Sequence, residues 1–405
     1  MSETLSRRRN AGGIIAGCLA LLLAITVAGC AGNQPRLDAA PDNVYATPVG
    51  FKGIRYWGDS ELKKLDQAIA ERREQLARAA KTDPSINLKH ADYLAISGGG
   101  SNGAYGAGLL VGWTAKGNRP RFEVVTGIST GSLSAPFAFL GPAYDTQLTK
   151  IYTDIDTKDV LAKKGPLRGL FGESMADNAP LKKLVAHYVT PQLLDDIAAE
   201  RAKGRRLFVG TTNIDAQRPV VWDMTAIAAS ENPEKLRLFR DVLVASAAIP
   251  GVFPPEMIKV TAEGQLFQEM HVDGGTTTQV FLMPTGNSLR DVDKALGHSR
   301  TSSVYVIRNG TFAPKYKKTE ASTLAIAARS IDTLILNQGI GDIYRMYAQS
   351  QRDRTDFNVA SIPPDFNAPN KSPFDPVYMR ALYQEGYKEM LAGRAWQKVP
   401  PGFKE

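Results

Sequence analysis

The hydrophobic pattern changes period several times along the 405 residues, and each change marks an element. After Arg7, Arg8 and Arg9 comes an uncharged stretch from Asn10 to Gly32 containing IIAGCLALLLAITVAGC. Basic, then apolar, then small residues is the layout of a secretory signal. The apolar run also approaches the roughly 17 residues that a membrane-spanning helix needs, so an uncleaved anchor is the competing reading. From Ala31 to about Gly58 the chain is rich in Ala, Pro, Asn and Gly, the composition of a tether. Ser60 to Ala80 places Leu62, Leu65, Ile69 and Leu76 at helical spacing, which predicts an amphipathic helix packed on the folded body.

Beyond it, short apolar runs alternate with longer helical patterns. Tyr93 to Ile96, Phe122 to Ile128, Leu207 to Thr212, Val220 to Met224, Met270 to Asp273 and Val304 to Ile307 read as strands. Gly103 to Ala115 and Thr130 to Leu140 read as helices of small and apolar residues, Leu324 to Ala348 as a long helix, and Pro376 to Leu391 as a terminal one opened by its proline. Strands interleaved with helices predict an α/β chain with a mainly parallel central sheet covered on both faces, whose ligands bind at the carboxyl ends of the strands. The segment Asp159 to Asp177 mixes basic residues with Leu and Phe, as either a mobile cap that meets lipid or a solvated connection. Trp57, Trp113, Trp222 and Trp396 are scattered and read as core packing.

Composition narrows the class. With 43% hydrophobic and 22% charged residues the chain can bury a substantial core. The net charge of +8 is mild, and Arg7, Arg8 and Arg9 against Glu3 account for +2 of it. Without a dense basic stripe this pattern points away from nucleic acid, although it suits an anionic membrane surface. Cys18 and Cys30 are the two cysteines. Val27-Ala28-Gly29-Cys30 resembles the lipobox of bacterial lipoproteins, in which cleavage precedes a lipid-bearing cysteine, with Val in place of the usual Leu. On that reading Cys18 leaves with the signal and Cys30 is acylated, so no disulfide and no cysteine-based zinc site remains.

Chemistry enters at LAISGGGSNGAYGAG, Leu94 to Gly108, where a predicted strand ends in three glycines. Gly98, Gly100 and Gly103 match G-x-G-x-x-G, with Glu123 twenty residues on. In a dinucleotide fold, however, the acidic residue closes the second strand, whereas Glu123 stands at the start of its strand. A Walker loop fails because no Lys-Ser or Lys-Thr pair follows the last glycine. The far end of that second strand holds Gly127-Ile128-Ser129-Thr130-Gly131, a G-x-S-x-G in strand-turn-helix context, the pattern of a nucleophile elbow. A serine attacking an acyl carbon generates an oxyanion, and a triglycine turn leading into a helix amino terminus supplies backbone donors for it. Gly99 and Gly100 are the first candidates for that hole, with Gly98 and Ser101 beside them.

The nucleophile needs a base. His90, His187, His271 and His298 are the histidines on which a Ser-His-Asp triad would draw. His271 stands two residues before Asp273 in MHVDGG, so on a strand both side chains point the same way and His271 can simply pack beside a site. Asp273-Gly274-Gly275 reads either as a carboxylate facing a cleft with little steric cover or as an ordinary Asp-Gly turn.

Taken together, the loop SGGGSNGAYGAG, the elbow GISTG with SLSAPFAFLG after it, the VDGG block and ASAAIPGVFPP (Ala245 to Pro255) resemble the patatin-like phospholipases, over roughly Tyr93 to Ile307. The resemblance implies a three-layer α/β/α fold carrying a serine-aspartate dyad without a catalytic histidine. Ser129 would be the nucleophile, Asp273 the base, Gly98, Gly99 and Gly100 the surroundings of the oxyanion, and Gly127 and Gly131 the flanks of the elbow. It implies no metal or other cofactor. Two positions depart from the family pattern: Asn102 stands where Arg or Lys is usual, and Ser97 where an acidic residue is common.

The resulting expectation is a membrane-anchored serine hydrolase of phospholipid or another lipid ester, in the bacterial envelope at the periplasmic face of the outer membrane, since Ala31 lacks the Asp that signals inner-membrane retention. It divides into a signal (residues 1–29), a lipidated tether (30–58), a helical segment (59–90), a catalytic core (91–310) and a helical extension (311–405). The alternatives are a non-catalytic lipoprotein scaffold with the same fold, for which Asn102 would be an early sign, and a histidine-dependent esterase.

Overall fold

The structure, a computed structural model, describes residues 36–41, 45–60, 66–84, 86–163, 174–283 and 287–403. The secretory signal, Cys30, the first part of the tether and residues 164–173 of the basic segment lie outside the described residues. Among those described, ten strands form one sheet: Thr47–Pro48 (β1), Arg55–Trp57 (β2), His90–Ile96 (β3), Val124–Ile128 (β4), Arg206–Asn213 (β7), Arg218–Asp223 (β8), Glu256–Ala262 (β9), Gln265–Asp273 (β10), Thr301–Arg308 (β11) and Asp356–Ser361 (β12). Ala162–Lys163 (β5) and Ala176–Asp177 (β6) pair separately. The centre of the sheet, β7-β4-β3-β11-β12, is parallel. Its flanks, β1-β9-β10 and β2-β8, are antiparallel additions on the β7 side.

The parallel strands are buried on both faces, as crossover helices require. Leu94, Ile96, Val125, Leu207 and Val209 share one core with helices Gly103–Ala115 (α2), Thr130–Leu140 (α3) and Pro376–Leu391 (α6). Tyr93, Ala95, Val124, Val304 and Val306 face the other way, onto Ile343 and Met346 of the long helix Thr323–Asp353 (α5). Asp66–Ala79 (α1) and Lys235–Ser246 (α4) are further helices of the same fold. The small residues of α2 let α6 pack closely on it: a Cβ on Gly112 would lie 2.7 Å from the Tyr387 carbonyl oxygen.

The helices α2, α3 and α6 begin and end where the sequence pattern places them, and α5 runs from Thr323 to Asp353 against the expected 324–348. The sequence pattern predicts no strand for β9, the first half of the β9-β10 hairpin. It turns on Glu263 and Gly264, both with positive φ (50° and 80°), the backbone of a tight two-residue turn.

Candidate active site

The elbow is built from the end of β4. Ser129 has φ 54° and ψ −126°, a left-handed position that costs a non-glycine residue about 1–3 kcal/mol. Its neighbours hold it there: its N–H donates to Ser246 Oγ (3.0 Å), and its carbonyl accepts from the Ser132 hydroxyl (2.6 Å) and amide (2.9 Å). The flanking glycines are required by close approach. A Cβ on Gly131 would sit 2.3 Å from the Ile96 carbonyl oxygen, and one on Gly127 2.5 Å from the Gly131 carbonyl oxygen. Ser129 is thereby pressed onto the carboxyl end of β3, beside the glycine loop.

Sheet register brings Asp273 to the same place. The parallel strand β4 ends with Ile128 opposite Gly210 of β7, and the antiparallel strand β10 ends with Asp273 opposite Thr211, the next residue of β7. The two strands therefore meet end to end along one edge of β7, which sets Ser129 and Asp273 face to face although 144 positions separate them. Asp273 is 5% exposed. Its Oδ1 accepts from Gly275 N–H (2.7 Å), while Oδ2 is buried with no closed hydrogen bond. Burial pushes the carboxyl up to about 7; the Ser129 hydroxyl and then the Gly275 amide work against that rise and are outweighed. The ASAAIP segment pins both partners. Ser246 Oγ receives the Ser129 amide and donates to Gly210 O (2.7 Å), and Ala248 O receives the Asp273 amide (2.9 Å). That block stands out in the sequence, but its task is visible only in three dimensions.

The glycine loop closes the third side. Gly99, Gly100 and Ser101 precede the first bond of the turn, Asn102 N–H to Gly99 O (3.1 Å), so their amides have no acceptor within the turn. Gly98 differs: its amide donates to Gln279 O (3.1 Å), and a Cβ there would press to 3.1 Å from Ser129 Cβ, so it supplies room for the serine instead of a donor. Ser101 is buried and does not line the cleft. Asn102 Oδ1 accepts from Tyr378 Oη (2.7 Å) of α6.

Two residues unassigned from sequence organise this loop. Asn309 donates from its amide to Ser97 Oγ and from Nδ2 to Ser97 O (both 2.9 Å), and its Oδ1 accepts from Gly106 N–H (3.1 Å). Gln279 accepts the Gly98 amide at its carbonyl, donates from Nε2 to the Gly275 carbonyl (2.7 Å), and donates its own backbone amide to Asp342 Oδ2 (2.7 Å). The only sequence signal for Asn309 was an Asn-Gly just past a strand; Gln279 had none.

Ser129, Asp273 and Gly98 to Gly100 line one cleft of 880 Å³, with Arg308 and the first half of α5 as its far wall. Arg308 is 6% exposed, donates to the carbonyls of Thr311 (3.1 Å) and Leu336 (3.2 Å), and is lowered to about 10 by burial. The buried cation of the cleft thus comes from the end of β11 and not from the glycine loop. Glu123, the acidic residue of the dinucleotide pattern, lies at the opposite end of its strand in an ion pair with Arg300 (2.7 Å). Among the described residues no cluster of His, Cys, Asp or Glu is arranged to hold a metal.

None of the four histidines lines the cleft. His271 is fully buried, and both ring nitrogens are engaged, Nε2 with Glu269 (3.0 Å) and Nδ1 with Thr211 Oγ1 (2.9 Å). Glu269 is itself paired with Arg55, which assigns the proton to Nε2. Burial lowers the pKa of His271 and keeps the ring neutral. His271→Gln is expected to lower stability while kcat on a soluble ester, normalised to folded protein, stays within about fivefold of the parent. A loss of about 10³-fold or more would instead identify a histidine-dependent esterase.

Residues 94–285 match the family model described as patatin-like phospholipase. The crystal structure of VipD from Legionella pneumophila aligns with a TM-score of 0.42 at 13% identity, covering 76% of this chain and 68% of that one. No curated protein matches the chain.

Proposed function

We propose, from the match of residues 94–285 to the patatin-like phospholipase model, that Ser129 is the nucleophile of a lipid acyl hydrolase, Asp273 its base, and the amides of Gly99 and Gly100 its oxyanion donors. The family match supports lipid acyl hydrolysis as the general class of reaction. The observation that carries the finer reading is the buried Asp273 carboxyl, pushed up to about 7, facing a strained serine with one oxygen still unengaged.

In this scheme the Ser129 Oγ–H proton passes to Asp273 as Oγ bonds to the ester carbon. The negative charge on the former carbonyl oxygen meets loop amides already in place, each worth about 3–4 kcal/mol when such a donor is aligned. Collapse breaks the ester C–O bond, and the departing alcohol takes the proton from Asp273. Water then attacks the acyl-serine with the same carboxylate taking its proton; collapse breaks the bond between Ser129 Oγ and the acyl carbon, frees the carboxylic acid and returns the proton from Asp273 to Oγ. An aspartate at its ordinary value of about 3.9 would be a weak acceptor for a hydroxyl proton, and burial corrects this. Phospholipid or a similar ester is the substrate class, and the Cys30 anchor belongs to the same proposal. Acylation there would hold the enzyme on the periplasmic face of the outer membrane, where it meets lipid in two dimensions.

Labelling the protein with a fluorophosphonate and locating the adduct by mass spectrometry tests the scheme. The expected adduct lies on the peptide containing Ser129 and weakens strongly in Asp273→Asn. Folded protein that takes no label would make the non-catalytic scaffold the better account.

A further inference from the structure

The first half of α5 is unusual for a helix in a folded domain. No residue from 325 to 338 is buried, and the next position, Gly339, is. Yet this half is apolar, TLAIAARSIDTLILNQ, with Arg329 and Asp332 its only charges. Ile326 is 53% exposed, Ile331 47%, Leu334 70% and Ile335 40%. A surface helix normally turns such residues to a core and shows charge to water. Here they face outward, and a contiguous exposed apolar surface of this kind marks an interaction site.

The neighbouring segment supplies the complementary feature. Residues 313–320 are all exposed and carry Lys315, Lys317 and Lys318 against Glu320, with Tyr316 97% exposed among them. Arg329 of the helix donates to the Lys315 carbonyl (2.6 Å), so loop and helix form one surface. That surface is continuous with the site: Lys315, Arg329, Leu334 and Ile335 also line the cleft that holds Ser129 and Asp273. Its root is held by Arg308 on the Leu336 carbonyl and Gln279 on Gln338 Oε1 (both 3.2 Å). Among the described residues no helix is long and apolar enough to cross a bilayer.

We infer that the first half of α5 and the Lys315–Lys318 loop form a docking surface for an anionic lipid bilayer, which seats the cleft mouth on the membrane. Apolar side chains beside an aromatic, with lysines at the rim, suit the boundary between acyl chains and negative headgroups. The inference rests on the reading of the cleft as a lipid-hydrolysing site, since it is the shared cleft that favours a bilayer over a second protein. It differs from the Cys30 anchor, which would tether the chain without orienting the cleft.

The test uses the full chain carrying Cys30→Ser and Ser129→Ala, so that binding is read without the lipid anchor and without turnover. Flotation is measured with phosphatidylcholine vesicles with and without phosphatidylglycerol. Tyr316→Ser with Ile326→Glu is expected to weaken binding to both vesicle types by about tenfold or more. Lys317→Gln with Lys318→Gln is expected to weaken binding about tenfold or more, and only when phosphatidylglycerol is present. On the active chain both double variants should hydrolyse a soluble short-chain ester within about twofold of the parent, because none of the four residues lines the cleft. Unchanged vesicle binding in both variants overturns the inference and leaves the hydrolase reading intact. A parent that is dimeric by sedimentation and becomes monomeric on Ile326→Glu, with vesicle binding unchanged, would assign the surface to a second copy of the chain. A Ser129→Ala chain as active as the parent would instead sink the hydrolase reading while the flotation result stands on its own.

Discussion

Asp273→Asn is expected to lower kcat/KM toward a soluble ester by about 10⁴-fold and, above pH 7, to make the protein more stable than its parent. Both effects come from one cause. Burial lifts the carboxyl to about 7, whereas in an unfolded chain it titrates near 3.9. Between about pH 4 and pH 7 the native state therefore holds a proton that the unfolded chain has released. The stability conferred by that proton is complete below about pH 4 and lost as pH rises through about 7. A neutral Asn carries no such dependence, so the advantage of the variant should grow from near zero at about pH 4 to on the order of 2–4 kcal/mol at about pH 9. Urea denaturation of parent and variant at the two pH values measures it. For the parent, kcat/KM should climb with pH to a plateau above about 7, as the ionised base becomes available. Activity surviving in Asp273→Asn would remove the carboxylate from the chemistry. Equal stability of the two proteins at about pH 9 would mean that the site is wetter than its burial implies.

Gly99→Ala is expected to reduce kcat by about 10²–10³-fold with little change in KM, since misplaced oxyanion donors act on the transition state and not on substrate binding. Gly99 has φ 155°, and a Cβ there would lie 2.2 Å from the Asn309 carbonyl oxygen and 2.7 Å from Asn309 Cβ. Asn309 cannot retreat without releasing Ser97 and Gly106, to which it is bonded. The loop must therefore move. Gly100→Ala is the informative comparison: its Cβ would meet nothing within 4 Å, leaving only the left-handed φ of 57° to be paid, at about 1–2 kcal/mol. A smaller kcat loss in Gly100→Ala than in Gly99→Ala fits the steric account. Equal losses would point to the amides' conformation alone, and no loss in either would remove this loop from the oxyanion.

Much of the site is legible along the chain because its parts are local. The elbow needs glycines two residues on either side of a serine between a strand and a helix, and all five positions are consecutive. The triglycine turn likewise announces backbone that must approach something closely. The helices α2, α3 and α6 are legible for the same reason, since small-residue and apolar spacing sets their extent. The missed elements are those whose identity depends on partners elsewhere. The strand β9 acquires its meaning by pairing with β10 and β1, and β12 by lying parallel to β11.

By itself, then, the order of residues determined an α/β chain with a serine at a strand-to-helix turn, a glycine loop beside it and an aspartate at the end of a later strand. Tertiary structure alone decided that the serine and the aspartate meet, because only the register of β7 sets the ends of β4 and β10 at adjacent positions, Gly210 and Thr211. It also decided that the Asp273 carboxyl is buried and raised to about 7, that His271 spends both nitrogens on Glu269 and Thr211, and that an apolar half-helix is left facing water at the cleft mouth. Burial, register and hydrogen-bond partnership depend on residues far apart in sequence, and no local pattern encodes them.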